Sequence, residues 1–142
     1  MQNKRAIEIM DTTLRDGEQT SGVSFSATEK LTLAKLLLTE LKVDRIEIAS
    51  ARVSDGEFNA VKGIIKWAKG SGYLNAVEIL TFVDNHISID WMKKAGAKVQ
   101  NLLTKGSLNH LKYQLKKTPD QHFSEVEETI NYAISNQIET NV

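Results

Sequence analysis

Apolar and polar positions change period several times along this chain, and each change marks an element. Residues 5–10, RAIEIM, alternate loosely and then stop, as a strand does. From Ser26 the period lengthens to that of a helix. In TEKLTLAKLLLTELKV, residues 28–43, Ala34, Leu37, Leu38 and Leu41 form one stripe, with Lys30, Lys35 and Glu40 mostly off it. Ser26 and Glu29 stand in capping-box spacing at its start, each side chain placed to satisfy the other residue's free amide. RIEIAS, residues 45–50, reads as a second strand. A second helix opens on the same box, Ser54 and Glu57, with Phe58, Val61, Ile64, Ile65 and Ala68 as its apolar face. AVEILTF (76–82) and KVQNLL (98–103) follow as strands. A short helix around Ile89 to Lys94 lies between them, stopped at Gly96. Thr118-Pro119-Asp120-Gln121 combines an N-cap, a proline at the first helical position and a closing glutamine. That helix runs to about Asn136, and IETNV begins a fifth strand.

Strand and helix alternate without a break, at intervals too long for hairpins. The expectation is therefore an α/β fold of parallel strands joined by helical crossovers. A five-stranded doubly wound sheet and part of a (β/α)8 TIM barrel both fit. Length favours the first, since barrels need roughly 250 residues. The chain's end inside a strand at Val142 favours the second. Residues 1–142 are read as one incomplete domain, the N-terminal portion of a barrel: about four βα units and the start of strand five.

Composition narrows the class without naming it. The 142 residues suffice for one domain with a core. Eighteen basic and eighteen acidic side chains cancel, and the basic ones are dispersed, so neither nucleic acid nor a membrane surface is an expected partner. The chain has no cysteine, which removes disulfides and thiolate metal sites. The start, MQNKRAIEIM, lacks a secretory apolar stretch and nothing approaches a membrane span, so a cytoplasmic location is expected.

In either architecture ligands gather at the C-terminal ends of the strands. The first strand exits into Asp11, Arg15 and Asp16, and the second carries Glu47 near its exit. The third ends in Leu80 to Asp84, and the fourth in Leu102 and Leu103, then Thr104 and Lys105. Neighbouring strands would let Glu47 hold the Arg15 guanidinium by paired hydrogen bonds, leaving Asp16 for a hard divalent cation. The plainer alternative makes Arg15-Asp16-Gly17 a polar turn and Glu47 half of a surface ion pair. Glu47 speaks against it, because an acid between two isoleucines in a strand buried on both faces needs a partner.

DTTLRDGEQ together with VDRIEIAS resembles the acyl-CoA condensing enzymes of the DRE-TIM metallolyase superfamily. These are the 2-isopropylmalate, homocitrate and citramalate synthases, with HMG-CoA lyase as a cleaving relative. The likeness spans essentially the whole chain. DRIEIASARVS, FVDNHISIDWMKKAGAKV and NLLTKGSLNHL look most like the citramalate synthase branch. The resemblance implies that Asp16 is a metal ligand (Mg2+, Mn2+ or Zn2+) and that Arg15 faces the keto oxygen and developing enolate. It implies that Glu47 orients Arg15, and that Leu80 and Leu103 line the pocket for the 2-oxo acid side chain. The implied reaction condenses acetyl-CoA with a 2-oxo acid, pyruvate ahead of 2-oxoisovalerate, in branched-chain amino-acid synthesis. A homodimer is expected at full length.

One departure limits this reading. The family's remaining metal ligands, an H-x-H pair, do not occur here. His86, His110 and His122 are read as surface or supporting residues, and Trp67 and Trp91 as packing. The 142 residues alone are expected to bind metal weakly and turn over nothing. Two alternatives stand beside the synthase: a homocitrate synthase or lyase of the same superfamily, and a non-catalytic half-barrel that self-associates through its exposed strand edge.

Overall fold

A computed structural model describes residues 7–142. Five parallel strands form one sheet: β1 (Met10–Asp11), β2 (Arg45–Ser50), β3 (Val77–Phe82), β4 (Val99–Leu103) and β5 (Glu139–Asn141). Their spatial order is their chain order. A doubly wound sheet reverses direction at a switch point, whereas a barrel adds each strand beside the last. The sequential order therefore decides between the two architectures, and the chain folds as the N-terminal part of a TIM barrel.

Four helices cover one face: α1 (Ala27–Lys35), α2 (Asp55–Ser71), α3 (Ile87–Ala95) and α4 (Pro119–Ser135). The core lies between them and the sheet, where Ile46, Ile48, Val77 and Ile79 meet Ala34, Leu38, Val61, Ile64, Ile65, Met92 and Ala133. Capping boxes at Ser26/Glu29 and Thr118/Gln121 form as the spacing predicts, and Gly96 closes α3 at φ 84°. Only half of the box at Ser54 forms. The Ser54 hydroxyl accepts from the Glu57 amide, while the Glu57 carboxylate turns to Lys30.

Several elements differ from the sequence pattern. α1 continues into a wider π-helical turn at Leu36–Leu41. That turn advances each residue by less than an α-helical step, so three residues on from buried Leu38 the chain has not returned to the core. Leu41 is consequently 68% exposed. A further π-helical segment, His110–Leu115, follows β4, and it is too short to show a helical period. Strand pairing at β1 covers only Met10 and Asp11 of the predicted RAIEIM; Arg5 and Ala6 lie outside the described residues. Ile7 and Ile9 are exposed at this sheet edge, although the Ile9 carbonyl still accepts the amides of Asp44 and Arg45.

The face of the sheet away from the helices carries charge. β2 has one residue more than β3 between Glu47 and Ala49, a bulge of the kind found beside active sites. Glu47 is paired in register with Glu78, and both carboxylates are buried.

Candidate active site

A tight turn after β1 sets the site. The Asp11 carboxylate accepts from the amide and hydroxyl of Thr13, two residues on, which bends the chain as it leaves the strand. The Thr12 carbonyl then accepts from the amides of Arg15, Asp16 and Gly17 at 3.1, 2.7 and 3.2 Å. Leu14 is buried beneath this turn, while the next residue, Arg15, reaches Glu47 on β2.

Arg15 is held by two carboxylates. Its Nε donates to Glu47 Oε2, and its Nη1 to Asp16 Oδ1 at 2.8 Å. Glu47 is fully buried, and its other oxygen accepts from Asn101 Nδ2 at 2.7 Å. A charge taken out of water is tolerable only when paired and hydrogen-bonded, and Glu47 has both. The Asp16 side chain is 61% exposed, so its remaining oxygen faces solvent.

Lys30 supports the turn from behind. Expected off the apolar stripe, it is instead 1% exposed, with its stem in the core. Its ammonium meets Glu18 at 2.6 Å and Glu57 at 2.5 Å, and reaches the Leu14 carbonyl at 3.4 Å. Glu18 also accepts the Phe25 amide at 2.9 Å. Partial burial pushes the Glu18 carboxyl up, but the hydrogen bond from Lys30, the Phe25 amide and the Lys30 charge together hold it below the usual carboxylate range. Lys30 stands four residues before Ala34, in line with the apolar stripe, so the expectation that placed it off the stripe went by its charge. Its partners come from two other segments and leave no sign in the helical period.

The two pocket leucines share a face but differ in exposure. Strand register puts Leu80 opposite Asn101 and Leu103 opposite Phe82, so all four share the inner face. Leu80 is buried against the sheet, whereas Leu103 is 42% exposed and lines a cavity of about 140 Å³ towards α4. His122, read as a surface or supporting residue, is buried in the wall of that cavity, its Nε2 2.8 Å from Thr104 Oγ1. Its position in the first turn of a helix looks exposed in sequence, but the C-terminal end of β4 packs over it. His86 stacks on Tyr132 at 3.9 Å between ring centroids, and exposed His110 lies in the segment after β4. Trp67 stacks on Tyr73, and Trp91 meets Phe58 edge to face, as packing residues do.

Among the described residues no group of three or more His, Cys, Asp or Glu side chains is arranged to hold a metal ion. Asp16 alone, with one oxygen committed to Arg15, does not make such a site; a hard divalent cation takes several oxygen ligands. Among the same residues no helix is long and apolar enough to cross a membrane.

The family model described as HMGL-like matches residues 6–142. A 2-isopropylmalate synthase of Pyrococcus furiosus is 40% identical over 129 residues, 91% of this chain and 26% of that protein. An (R)-citramalate synthase of Methanocaldococcus jannaschii is 41% identical over 128 residues, 89% of this chain and 25% of its own length. A 2-isopropylmalate synthase of Halalkalibacterium halodurans is 36% identical over 133 residues, covering 92% of this chain and 25% of the relative. The chain thus spans about a quarter of the length of the curated relatives it matches.

Proposed function

The chain belongs to the HMGL-like family, and from that premise we propose that it supplies the first five strands of a synthase barrel that joins acetyl-CoA to a 2-oxo acid. The observation that carries this reading is Arg15, clamped between buried Glu47 and exposed Asp16 at the C-terminal end of the sheet. A guanidinium has five N–H donors. Glu47 and Asp16 take one each, which leaves three in a fixed plane for an oxygen acceptor.

Carbon–carbon bond formation needs such a donor. A base removes a proton from the acetyl methyl group, and the resulting carbanion attacks the keto carbon of the 2-oxo acid. The carbonyl electron pair moves onto oxygen, which takes up a proton to become the tertiary hydroxyl. Arg15 stabilises the charge that collects on that oxygen in the transition state, an interaction weak in the ground state and strong at the barrier. Water then cleaves the thioester, releasing CoA and a carboxylate. Glu47, buried and doubly bonded, holds the arginine and moves no proton itself.

In this reading Asp16 is one ligand of the family's divalent cation. The other ligands would come from outside the described residues, whose donor set does not hold a cation by itself. Pyruvate is the favoured substrate and 2-oxoisovalerate the next. Leu80 and Leu103 on the inner face suit a small apolar side chain, although two extra methyl groups change binding by only a few kcal/mol at most. Relatives of nearly equal identity carry both names, 2-isopropylmalate synthase and citramalate synthase.

The deciding experiment measures free CoA release by the full-length protein with pyruvate and with 2-oxoisovalerate. Higher kcat/KM for pyruvate is expected. Preference for the branched acid would overturn the roles given to Leu80 and Leu103, and release with neither acid would overturn the synthase reading.

A further inference from the structure

The inner face holds two buried carboxylates, and each has one arginine and one asparagine. Glu78 accepts Arg45 Nη1 at 2.8 Å and Asn141 Nδ2 at 3.0 Å, both on Oε1, while Oε2 has no partner among the described residues. Glu47 divides its partners instead: Arg15 on Oε2 and Asn101 Nδ2, at 2.7 Å, on Oε1. The division matters geometrically. A carboxylate bonded through one oxygen can turn about its terminal torsion, which is broad and nearly two-fold. Donors on both oxygens fix its plane, and with it the direction of the guanidinium bonded to it.

From this arrangement we propose that Asn101 is a positioning residue for Arg15, acting through Glu47; the proposal rests on the role given to Arg15 above. Asn101 stands on β4, opposite Leu80, and reaches across β3 to an acid on β2. Its amide orientation is dictated by chemistry, since an ionised carboxylate only accepts. An amide does not titrate, so Asn101 delivers the same bond at any pH at which the enzyme works. The charged groups around it are Glu47 and Arg15 on one side and Glu78 on the other, the last engaged by Arg45 and Asn141.

The test uses the full-length enzyme. Asn101→Leu should lower kcat about ten-fold or more with KM for the 2-oxo acid changed less than about three-fold, because a tilted arginine loses transition-state contact first. Asn101→Asp is nearly isosteric and guards against a folding defect. Its carboxyl faces Glu47, so one of the two must hold a proton, and a protonated acid donates where the amide did. Its kcat should therefore recover towards acid pH, a limb the wild-type profile lacks. Wild-type kcat in Asn101→Leu, or a wild-type-shaped pH profile in Asn101→Asp, would overturn the proposal.

A second readout does not depend on turnover. The Arg15 Nε–H resonance, assigned by its loss in Arg15→Lys, should exchange with water at least about ten-fold faster in Asn101→Leu, as a loosened buried bond does. Unchanged exchange refutes the positioning role. Absence of CoA release by the wild-type enzyme refutes the synthase reading instead.

Discussion

Arg15 owes its position to three other side chains, and substitutions there separate charge from geometry. Lysine keeps the charge but is a point donor on a flexible stem and cannot bridge Glu47 and Asp16 in one plane. Arg15→Lys is expected to lower kcat by about 10²–10³, the range for losing one preorganised donor to a developing oxyanion. Steady-state CoA release checks this. Asp16→Asn should abolish turnover in the full-length enzyme, and a chelator should abolish it reversibly in the wild type. Near wild-type turnover in that variant would exclude Asp16 as a ligand. Of these residues, the acid at 47 was legible as a residue needing a partner, because it interrupts an apolar strand. Asn101 was not legible. One amide in KVQNLL carries no sign that it faces a carboxylate 54 positions earlier.

α1, α2 and the turn after β1 converge on Lys30. Without its ammonium, Glu18 and Glu57 would face each other beneath Leu14, with no buried cation between them. Lys30→Met is expected to destabilise the fold by about 3 kcal/mol, the lower end for breaking a buried pair since both acids keep some solvent contact. Denaturant unfolding reads this directly. The same cluster gives a pH dependence of defined sign. Glu18 is held below its ordinary range, as is Asp90, chiefly by the hydrogen bond from Tyr132. A carboxyl with a depressed folded pKa contributes stability above its unfolded pKa, about 4, and loses it as pH falls through the folded value. Thermal midpoints should therefore drop on acidification below about pH 4. Glu18→Gln should flatten that drop, and an unchanged slope would remove Glu18 from the account.

Taken whole, the sheet has two edges and an inner face that nothing covers among the described residues. Exposed Ile9, just before β1, stands at one edge, and the charged inner face bears Arg45, Glu47 and Glu78. The 142-residue chain expressed alone is expected to release no CoA from acetyl-CoA with either 2-oxo acid, with Mg2+ or Mn2+ added. Among its described residues no donor set is arranged to hold a cation. Full activity from that chain would show the site to be complete here.

Local information in the chain determined the strands and the helices, because hydrophobic period, capping boxes and one well-placed proline act within a few residues of each other. It also marked the LRDGEQ turn as the place for chemistry, since four charges fall within residues 11–18, where a strand-like run ends. Only the tertiary structure decided between barrel and doubly wound sheet, because strand order is a property of crossovers and not of any one strand. It alone decided that Lys30 and His122 are buried and that Leu41 is not. The first two depend on partners distant in sequence, Glu57 for Lys30 and Thr104 for His122; the third depends on a widened helical turn at Leu36–Leu41 that rotates Leu41 into solvent.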